Sequence, residues 1–467
     1  MTTRRKILLG SAAAVAAGAA GLGGRVALRN RDPVGPPPID AEGRALWSNW
    51  SGIAHSYPAR RAAPADEAEL ARLLPDTPVP IRPVGAGHSF NAIVPTEGTL
   101  LSLDRLSGIV ASDDKAMTAT VGAGTKLSAL GPTLAEIGQE MINLPDIDKQ
   151  TLGGALATGT HGTGKGVPAL HGRVTGMRIV APDGTVIECN RDQRPEVFDA
   201  ARVGLGAFGV VSQVTLHNWP LSRVKKVVRV VDTDTLLDQW PALAEQHRNA
   251  EFLVLPFTGK SALVTHDVTD EPVLPRGPDV DTDALMELKT LRDLFEFTPA
   301  LRRRFAAHFL DGAPPEIAVD EGWKLLANAR PVRFKEMEYH LPIEQQVAAL
   351  REIIARIERE AKDVFFPIEA RIVAPDDAWL SPFNGRESGS IAVHAYYKEA
   401  NDWMFDLVEP VLREASGRPH WGKLHSLAAP DLKALYPMFA EAMAVRRSLD
   451  PQGRLLNPFL SRLFADG

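Results

Sequence analysis

The sequence predicts an α+β protein of two domains, and three observations support this prediction. The chain has 467 residues, which is more than one typical domain contains. Short runs with the alternation typical of β-strands are interspersed with amphipathic helical stretches. Glycine-rich turns are frequent up to about residue 220 and become rare after it. We therefore predict one domain over 47–220 and a second, mixed-sheet domain over 221–467.

The first 46 residues precede both predicted domains. Residues 1–30 contain Arg4 and Arg5 followed by an apolar stretch rich in alanine and glycine, which resembles a twin-arginine export signal. An ordinary export signal or an uncleaved anchor would explain the same pattern. The apolar run is short for a membrane span, and no later segment is long enough. Residues 31–46 are rich in proline and predict a linker, so we expect an exported protein, either periplasmic or extracellular.

Composition restricts the partners of the protein. The net charge is −6, and lysine and arginine are spread along the chain. This disfavours a nucleic-acid partner, because phosphate binding requires a concentrated basic face. The single cysteine, Cys189, cannot form an internal disulfide, so the core and a bound cofactor would have to stabilise the fold. We predict a small-molecule ligand, no nucleic acid and no metal site.

In the N-terminal domain, strand and helix patterns follow one another closely. The stretch "DEAELARLL" predicts an amphipathic helix with one apolar face, formed by Ala68, Leu70, Leu73 and Leu74. A strand is predicted at "VPIRPVG", and two strands and a helix at "LLSLDRLSGIVASDDKAMTATVGAGTKLSALGPTLAEIG". The stretch "GMRIVAPDGTVIECN" predicts a hairpin that turns at Asp183 and Gly184. A glycine turn leading into a strand is predicted at "GLGAFGVVSQVTLHNW".

The C-terminal domain shows fewer glycines and longer periodic segments. The stretch "VKKVVRVVDTDTLLDQWPALAEQH" predicts a strand and then a helix. Helical spacing recurs in a second apolar set, Leu285, Leu288, Leu291 and Phe295. The stretch "FKEMEYHLPIEQQVAALREIIARIERE" predicts a strand and a helix with an inward face of Val347, Leu350, Ile354 and Ile357. Two further strands are predicted at "FFPIEARIVA" and "SIAVHAYYKE".

Four glycine-bearing turns fall within the N-terminal domain, at 85–87, 122–124, 152–166 and 204–209. Glycine permits positive φ and close backbone approach, so its amides can point at oxyanions. One such turn alone would be structural, but four turns favour a long ligand such as a dinucleotide. Thr158, Thr160 and Thr163 beside them support this prediction. A Rossmann site requires G-x-G-x-x-G directly after the first strand and an acidic residue about 20 residues further on, and no such unit occurs. The stretch "GTHGTGKG" ends without the Lys-Ser/Thr of a P-loop, which disfavours an NTPase.

Four motifs resemble the vanillyl-alcohol-oxidase type of FAD flavoproteins, and within it the aldonolactone and alditol oxidase branch, also called the D-arabinono-1,4-lactone oxidase type. The motifs are "RPVGAGHSFN", "TLGGALATGTHGTG", "GLGAFGVVSQVTL" and "RPHWGK". The resemblance extends from "NWSG" (49–52) to "LLNPF" (455–459). It implies a PCMH-type FAD-binding domain of two subdomains over 47–220. A substrate-binding or cap domain would follow, with a C-terminal segment that returns to the flavin.

The resemblance also implies FAD held by the glycine turns and joined covalently through His88. A fixed imidazole would add as a nucleophile to the methyl carbon of the isoalloxazine. The alternative is a hydrogen-bonding histidine beside non-covalent FAD. The residues predicted to bind the cofactor are Gly85, Ala86, Gly87, His88, Ser89, Gly153, Gly154, Thr158, Thr160, His161, Gly162, Gly209 and Val210.

A charged pair in the second domain predicts the catalytic centre. Glu369 and Arg371 are two residues apart on a predicted strand, so both project from one face. Such neighbours usually form a surface ion pair, but the apolar flanks favour partial burial. The resemblance implies that this pair lines the active site, with Arg371 stabilising the alkoxide and Glu369 holding substrate hydroxyls. It also implies Lys423 as a second cation or base and His394 as a pocket residue, although a lone strand histidine is often a core group.

Two parts of the sequence depart from the alditol oxidase pattern. Tyr396 stands where those enzymes have a smaller residue, which leaves substrate size open. Pro145 and Asp146 stand where they have a small residue followed by serine. The small residue is associated with oxygen access, so Pro145 leaves oxidase and dehydrogenase open. Asp146 either hydrogen-bonds a polyol or sugar or caps a turn.

The activity implied by the resemblance is oxidation of a hydroxyl of a sugar lactone, polyol or related alcohol by hydride transfer to flavin N5. The acceptor would be oxygen, or otherwise a quinone or cytochrome. One alternative is a sterol or bulky-alcohol oxidase, which an apolar aromatic cap would favour. Another is a non-catalytic flavin- or sugar-binding exported protein. The presence of Glu369, Arg371 and Lys423 together disfavours that last alternative.

Overall fold

The computed structural model describes residues 37–277, 281–295, 298–310, 312, 314–328 and 332–465. The chain divides into two compact units, Met1–Ala45 and Leu46–Gly467. The predicted export signal over 1–30 and the first part of the predicted linker, 31–36, lie outside the described residues. In the remainder of the first unit, Arg44 forms an ion pair with Asp40 at 2.6 Å.

Up to residue 220, short strands alternate with four helices in the described chain. The strands are β1 (Trp47–Ser48), β2 (His55–Ser56), β3 (Arg60–Ala62), β4 (Ile81–Val84), β5 (Thr99–Ser102), β6 (Ile109–Asp113), β7 (Thr118–Gly122), β8 (Gln139–Glu140), β9 (Val174–Val180), β10 (Val186–Asn190), β11 (Val210–His217) and β12 (Trp219–Pro220). The helices are α1 (Glu67–Leu73), α2 (Leu127–Glu136), α3 (Leu152–Ala157) and α4 (Pro195–Ala201).

These strands form two principal sheets. One is parallel, in the order β3-β5-β4, and the other is antiparallel, in the order β10-β9-β11-β7-β6. The predicted hairpin is confirmed, because β9 and β10 pair antiparallel around Gly184, whose φ is +86°. The prediction of two strands between "LLSL" and α2 is wrong, since β5, β6 and β7 all occur there. Four of the five residues of β6 are exposed, so this edge strand lacks the apolar alternation that predicts strands.

Helix α1 begins at a capped residue and buries one stripe of side chains. Asp66 is the N-cap and accepts a hydrogen bond from the amide of Glu69 at 2.7 Å. Leu70 and Leu74 are fully buried, as predicted. Ala68 is exposed, so its predicted place on the buried face is wrong. Two residues span about 200° of a helix, which puts residues 68 and 70 on opposite sides.

Beyond residue 220, the described chain forms longer strands and helices. The strands are β13 (Arg223–Asp232), β14 (Asn249–Leu255), β15 (Lys260–Val268), β16 (Glu316–Glu321), β17 (Phe334–Pro342), β18 (Ile368–Val373), β19 (Ser388–Tyr396) and β20 (Arg418–Pro419). The helices are α5 (Thr233–Gln246), α6 (Asp281–Phe295), α7 (Pro299–Leu310), α8 (Gly322–Leu325), α9 (Gln346–Glu360), α10 (Glu409–Glu414), α11 (Ala429–Leu435), α12 (Phe439–Leu449) and α13 (Pro458–Leu463).

An eight-stranded sheet, in the order β16-β13-β15-β14-β18-β19-β17-β20, dominates this part of the chain. Phe252, Ala370, Ile391 and Tyr339 face one another across four adjacent strands and are fully buried. Trp240 of α5 packs edge-on against Phe252 at 4.6 Å. The helical layer therefore covers this face of the sheet. Because side chains alternate along a strand, the neighbouring positions point to the opposite face.

The periodic stripes of two helices were predicted with different success. On α9, Leu350 and Ile357 are fully buried as predicted, but Val347 and Ile354 are only half-buried. Ile353 lies at the centre of the buried face instead, because the true stripe is rotated by part of a turn from the predicted one. On α6, two of the predicted residues, Leu285 and Leu288, pack against an aromatic cluster. The side chain of Phe295 lies outside the described residues. Within the described residues, no helix has the length and apolar character that crossing a bilayer requires.

Candidate active site

The register of the large sheet gathers charged residues on the face away from the helical layer. Glu251 of β14 is opposite Arg371 of β18, which is opposite Ser390 of β19. In the next row, Glu369 and Glu338 flank Ala392. One row further, His394 is opposite Glu336. The small side chain of Ala392 leaves room for the long side chains on both sides to approach one another.

Arg371 lies between two carboxylates. Its Nε donates to Oε2 of Glu251 at 2.7 Å, and another guanidinium nitrogen donates to Oε1 of Glu369 at 2.6 Å. The side chain of Arg371 is 8% exposed and those of both partners are 13% exposed, which confirms the expected partial burial. One guanidinium cannot neutralise two carboxylates. Burial raises the pKa of Glu369 to about 7 against the lowering effect of Arg371, and Glu251 and Asp146 add to the rise.

Lys423, on the loop that follows β20, contacts the same cluster. Its ammonium group forms an ion pair with Glu336, and Nε2 of His394 lies 3.5 Å from the same carboxylate. Burial would raise the pKa of Glu336, but Lys423 and His394 lower it to about 2. For His394, burial acts to lower the pKa, but Glu336 and Glu369 raise it above its usual value. The donor atoms of Glu336, Glu369 and His394 all lie within 4.8 Å of one another, so the predicted catalytic residues converge.

The loop that carries Lys423 is fixed to the sheet and to the loop of His88. The amide of Lys423 closes a turn on the carbonyl of His420 at 3.0 Å. Nδ2 of Asn91 donates to the carbonyls of Trp421 and Lys423, both at 2.8 Å. The amide of Phe90 donates to the carbonyl of Gly422 at 2.6 Å. These bonds place the "RPVGAGHSFN" and "HWGK" segments next to each other.

His88 is held beside Lys423 in an aromatic environment. Its ring stacks on Trp50 with centroids 5.1 Å apart. Burial lowers the pKa of His88 to about 4, and the charges of Lys423 and Lys149 contribute. The imidazole is therefore neutral at pH 7, which is the nucleophilic form. This neutral ring is compatible with either covalent or non-covalent FAD.

The glycine loop before His88 fits a bound phosphate group. Within the described residues, none of the amides from Gly85 to Ser89 donates a hydrogen bond to another protein atom. A Cβ at Gly85 would lie 2.1 Å from Oγ1 of Thr151, and Gly87 has φ of +69°. Only glycine fits these two positions. A run of unpaired amides in such a loop is the arrangement that binds oxyanions, so residues 85–89 fit the pyrophosphate of FAD.

The second loop predicted to bind the cofactor shows a similar gap. The amides of His161, Gly162 and Thr163 donate to no protein atom in the part of the chain that the structure describes. A Cβ at Gly162 would lie 2.1 Å from Oδ1 of Asn143. Oγ1 of Thr163 donates to the carbonyl of Ala250 on β14 at 2.5 Å. This loop therefore connects the predicted FAD-binding domain with the sheet that carries the charged cluster.

Comparison with known proteins decides the family. The sequence profile of D-arabinono-1,4-lactone oxidase matches residues 214–463, and that of an FAD binding domain matches residues 58–190. The chain belongs to the D-arabinono-1,4-lactone oxidase family. It binds FAD, and the predicted family, α+β fold class and cofactor are confirmed.

Two curated relatives align with this chain over nearly their whole length. The L-gulono-1,4-lactone dehydrogenase of Mycobacterium tuberculosis (strain ATCC 25618 / H37Rv) is 34% identical, covering 90% of this chain and 99% of that protein. The alditol oxidase of Streptomyces sp. (strain IKD472 / FERM P-14339) is 30% identical, covering 89% and 98%. The crystal structure of cholesterol oxidase from B. sterolicum superposes with a TM-score of 0.72 at 18% identity, over 93% of this chain and 100% of that one. That last likeness shows the fold alone.

Four other residues predicted to bind FAD lie in α3 or directly after it and form hydrogen bonds within the protein. The amide of Gly153 donates to the carbonyl of Ala123 at 2.8 Å, and Gly154 is exposed. Oγ1 of Thr158 donates to the carbonyl of Gly154 at 3.2 Å and lies 3.5 Å from Oγ1 of Thr160. Both threonines are buried, so they stabilise the loop after α3 whatever contact they make with FAD.

Gly209 and Val210 lie between the two matched segments. Gly209 has φ of +112°, and a Cβ there would lie 2.4 Å from Ile179. Val210 pairs with Val180, and its side chain belongs to a buried core cluster. The structure thus gives both residues a packing role, and their contact with FAD stays a prediction.

The turn at 122–124 has a structural explanation. A Cβ at Gly122 would lie 2.4 Å from the carbonyl oxygen of Leu106, and one at Gly124 would lie 1.8 Å from that of Leu103. Two backbone segments therefore pack against each other here, which excludes side chains. Of the four glycine turns, this one requires no ligand to account for its glycines.

Sequence reasoning missed three carboxylates of the site, Glu251, Glu336 and Glu338. Glu336 and Glu338 alternate on an apolar strand, which is the same signal that pointed to Glu369 and Arg371. The signal was therefore present in "FKEMEYHLP". Glu251 is a single charge in "NAEFLVL", where only the pairing of β14 with β18 reveals its partner.

The two departures from the family pattern have different surroundings. Asp146 accepts a hydrogen bond from Nδ2 of Asn328 at 2.5 Å, and its charge acts on Glu369 and Arg371. It therefore faces the charged cluster. Tyr396 is buried in an aromatic cluster with Phe365, at 6.2 Å between centroids.

Two groups of side chains have the spacing of metal ligands. One is the cluster of Glu336, Glu369 and His394, and the other is made of His161, Glu338 and His420. In the second group, Nδ1 of His420 accepts a hydrogen bond from the amide of Gly422 at 3.0 Å. The predicted absence of a metal in this family member stays a prediction.

Proposed function

We propose that this protein oxidises a hydroxyl group of a sugar lactone, polyol or related alcohol, with FAD as the hydride acceptor. One observation carries the proposal. Glu369, whose pKa is raised to about 7, shares a sheet face with Arg371, and Lys423 contacts the same cluster from a loop that lies beside the loop of His88. The names of the relatives, a gulonolactone dehydrogenase and an alditol oxidase, support this class of substrate.

Alcohol oxidation requires a base for the hydroxyl proton and a cation for the developing alkoxide. FAD supplies the site to which the hydride moves. Glu369 would accept the proton, because its pKa of about 7 lets it exist as carboxylate and as acid near neutral pH. Arg371 and Lys423 would bind the substrate oxygen as it gains negative charge. Lys423 pairs with the carboxylate of Glu336, so we assign it the role of hydrogen-bond donor to the substrate oxygen instead of base.

The substrate would be polar and rich in hydroxyl groups. Carboxylates of the site can each accept hydrogen bonds from two neighbouring hydroxyls. Asp146 faces this cluster, and we propose that it binds a hydroxyl remote from the reacting carbon. A sterol or other bulky apolar alcohol has too few hydroxyls to satisfy the remaining hydrogen-bonding capacity of these buried carboxylates, at a high energetic cost. The charged lining therefore favours a lactone or polyol over a sterol.

We propose a covalent bond between His88 and the flavin. The neutral, half-buried imidazole next to a loop of unpaired amides supports the bond. Acid precipitation of the purified protein tests it: a yellow, fluorescent pellet is expected for the wild type, and a colourless pellet with yellow supernatant for His88→Ala. A wild-type supernatant that holds all of the flavin would contradict the bond while leaving the FAD assignment intact.

The electron acceptor is proposed to be oxygen or, failing that, a quinone or cytochrome. Oxygen consumption with L-gulono-1,4-lactone, xylitol and cholesterol would be compared with reduction of an artificial dye acceptor. Turnover of the lactone or polyol is expected, and turnover restricted to cholesterol would overturn the substrate assignment.

Pro145, buried beside Asp146, is the residue to test for oxygen access. Pro145→Gly is expected to raise the ratio of oxygen to dye turnover.

We further propose export by the twin-arginine route, on the basis of Arg4 and Arg5 and the apolar run that follows. Fusing residues 1–46 to a reporter and replacing both arginines with lysine tests this. Loss of the reporter from the periplasm is expected for the Lys-Lys version. Unchanged export would favour another route.

A further inference from the structure

Asn328 holds Asp146 at two points. The backbone amide of Asn328 donates to the carbonyl of Asp146 at 2.7 Å. Its side chain makes the second bond, in which Nδ2 donates to Oδ1 of Asp146 at 2.5 Å. Both residues are partly buried. The two bonds together fix the backbone and the carboxylate of Asp146 with respect to Asn328.

The other end of the Asn328 side chain is held by a cation. Nζ of Lys226 donates to Oδ1 of Asn328 at 3.0 Å. An ammonium group can only donate and a carboxylate can only accept, so Oδ1 of Asn328 faces Lys226 and Nδ2 faces Asp146. Turning the amide over would break both bonds. An amide side chain at position 328 therefore suits a place between a cation and an anion, whereas a carboxylate there would repel Asp146.

The segment that carries Asn328 is fixed where it leaves α8. A guanidinium nitrogen of Arg276 donates to the carbonyls of Leu325 and Ala327, at 3.0 and 3.1 Å. Asn328 belongs to the segment matched by the lactone oxidase profile, and Asp146 to the segment matched by the FAD binding domain. The second domain thus provides a fixed support for a loop of the first.

Lys226 projects from the sheet face that carries the charged cluster. It is opposite His266 of β15, which is opposite Asn249 of β14, and Asn249 is two residues from Glu251. Cross-strand partners share a face, and so do residues two apart on one strand. Lys226 therefore lies on the same face as Glu251 and Arg371. Three strand spacings of about 4.8 Å separate β13 from β18, so this face extends roughly 14 Å between them.

Asp146 connects the two ends of this face. Its charge acts on Glu369 and Arg371 at one end. At the other end, its Oδ1 is joined through Asn328 to Lys226. A substrate whose reacting hydroxyl lies at Arg371 would therefore reach Asp146 with a hydroxyl further along its carbon chain.

We propose that Asn328 is a positioning residue that holds Asp146 towards the substrate, so that the site selects polyols and lactones long enough to bring a hydroxyl to Asp146. This inference rests on the proposed function, in which Asp146 binds a hydroxyl remote from the reacting carbon. A hydrogen bond to a charged group contributes about tenfold or more to an equilibrium constant. The bond contributes in full when the carboxylate is already held in place, because no freedom is then lost on binding.

Steady-state dye reduction with long and short substrates tests the inference. The pairs are xylitol with glycerol, and L-gulono-1,4-lactone with erythrono-1,4-lactone, which lacks the side-chain hydroxyls. In the wild type, kcat/KM should be at least about tenfold higher for the long member of a pair. In Asn328→Ala, this ratio should fall about tenfold through a higher KM for the long member. Its kcat, and kcat/KM for the short member, should change little.

A double variant tests whether Asn328 acts through Asp146. Asp146→Ala should lower the ratio between long and short substrates in the same way. Asn328→Ala should then cause no further loss in the Asp146→Ala background, because residues that act as a unit are not additive. If Asn328→Ala does not fold, Lys226→Met removes the group that orients the amide, and a smaller loss of the ratio is expected.

Asn384→Ala is the matched control. Asn384 is also partly buried, and its Nδ2 donates to the carbonyl of Ala378 at 3.1 Å. Its replacement should lower stability and leave the ratio between long and short substrates unchanged. A loss of the ratio in this control as large as in Asn328→Ala would show a general effect of destabilisation and would contradict the inference.

An unchanged ratio in Asn328→Ala, or an equal loss of kcat/KM for both members of a pair, overturns the inference and leaves the proposed reaction intact. The same holds for Lys226→Met where the first variant does not fold. A further loss in the double variant also overturns it, because Asn328 would then act independently of Asp146. A wild-type protein that oxidises neither lactone nor polyol overturns the proposed function and this inference with it.

Discussion

Replacing Glu369 with glutamine removes the proposed base while keeping the shape of the side chain. A carboxyl with a pKa of about 7 is about half ionised at pH 7 and about one-hundredth ionised at pH 5. For the wild type, kcat/KM should therefore fall about 100-fold from its plateau as the pH drops to 5. In Glu369→Gln the acid limb should disappear, and kcat/KM should be about 10² to 10⁴ lower at pH 8, or about 3–5 kcal/mol in the barrier.

The assay is steady-state dye reduction with L-gulono-1,4-lactone between pH 5 and 9, normalised to flavin content. Glu251→Gln is the matched variant, since Glu251 shares Arg371 with Glu369 and raises its pKa. Without Glu251, the pKa of Glu369 should fall, and the acid limb should move to lower pH with activity retained. An acid limb that persists in Glu369→Gln would refute the assignment of the base.

Three further predictions concern charge, cofactor binding and pH. Lys423→Met should lower the free energy of unfolding by several kcal/mol, because the buried Glu336 would lose its ion pair with Lys423 and keep only the more distant His394. Adding Glu336→Gln should restore part of the loss, and additive effects in calorimetry would contradict the pairing. Gly85→Ala should lower flavin content, because its Cβ would meet Oγ1 of Thr151 at 2.1 Å, whereas Gly166→Ala, with open space around it, should keep the wild-type absorbance at 450 nm. His266 is buried with a pKa lowered to about 3, so the unfolded chain binds the extra proton below pH 6.5. Stability should be lost as pH falls from 6.5 towards 3, by about 1.4 kcal/mol per pH unit from this residue, and urea unfolding of His266→Gln should show a correspondingly shallower decline.

Sequence reasoning was most successful where the physical cause is local. The alternation in "PIEARIVA" was enough to place Glu369 and Arg371 on one face, and their bond of 2.6 Å agrees with it. The turn at Gly184 and the buried residues Leu70 and Leu74 also follow from short-range rules. The same rules were insufficient for Ala68 and for the exposed edge strand β6, where the amphipathic signal is weak or rotated.

The pairing of charges could not be read from the chain. Arg371 bonds to Glu251 across 120 sequence positions, Lys423 pairs with Glu336 across 87, and His161 pairs with Glu338 across 177. Which strands are neighbours depends on how the apolar faces of the whole sheet are buried against α5 and α9, and this is a property of the complete fold. Strand order decides which carboxylates share a cation, and through burial it decides that Glu369 titrates near pH 7.

The sequence by itself determined the class of fold, the family, the cofactor and the residues whose local pattern marks them for chemistry. The tertiary structure decided which of those residues meet, which carboxylates join them and what protonation each can have. The reason is physical: the direction of a side chain depends on neighbours two to four residues away, whereas its electrostatic environment depends on strands that are distant in sequence and adjacent only after folding.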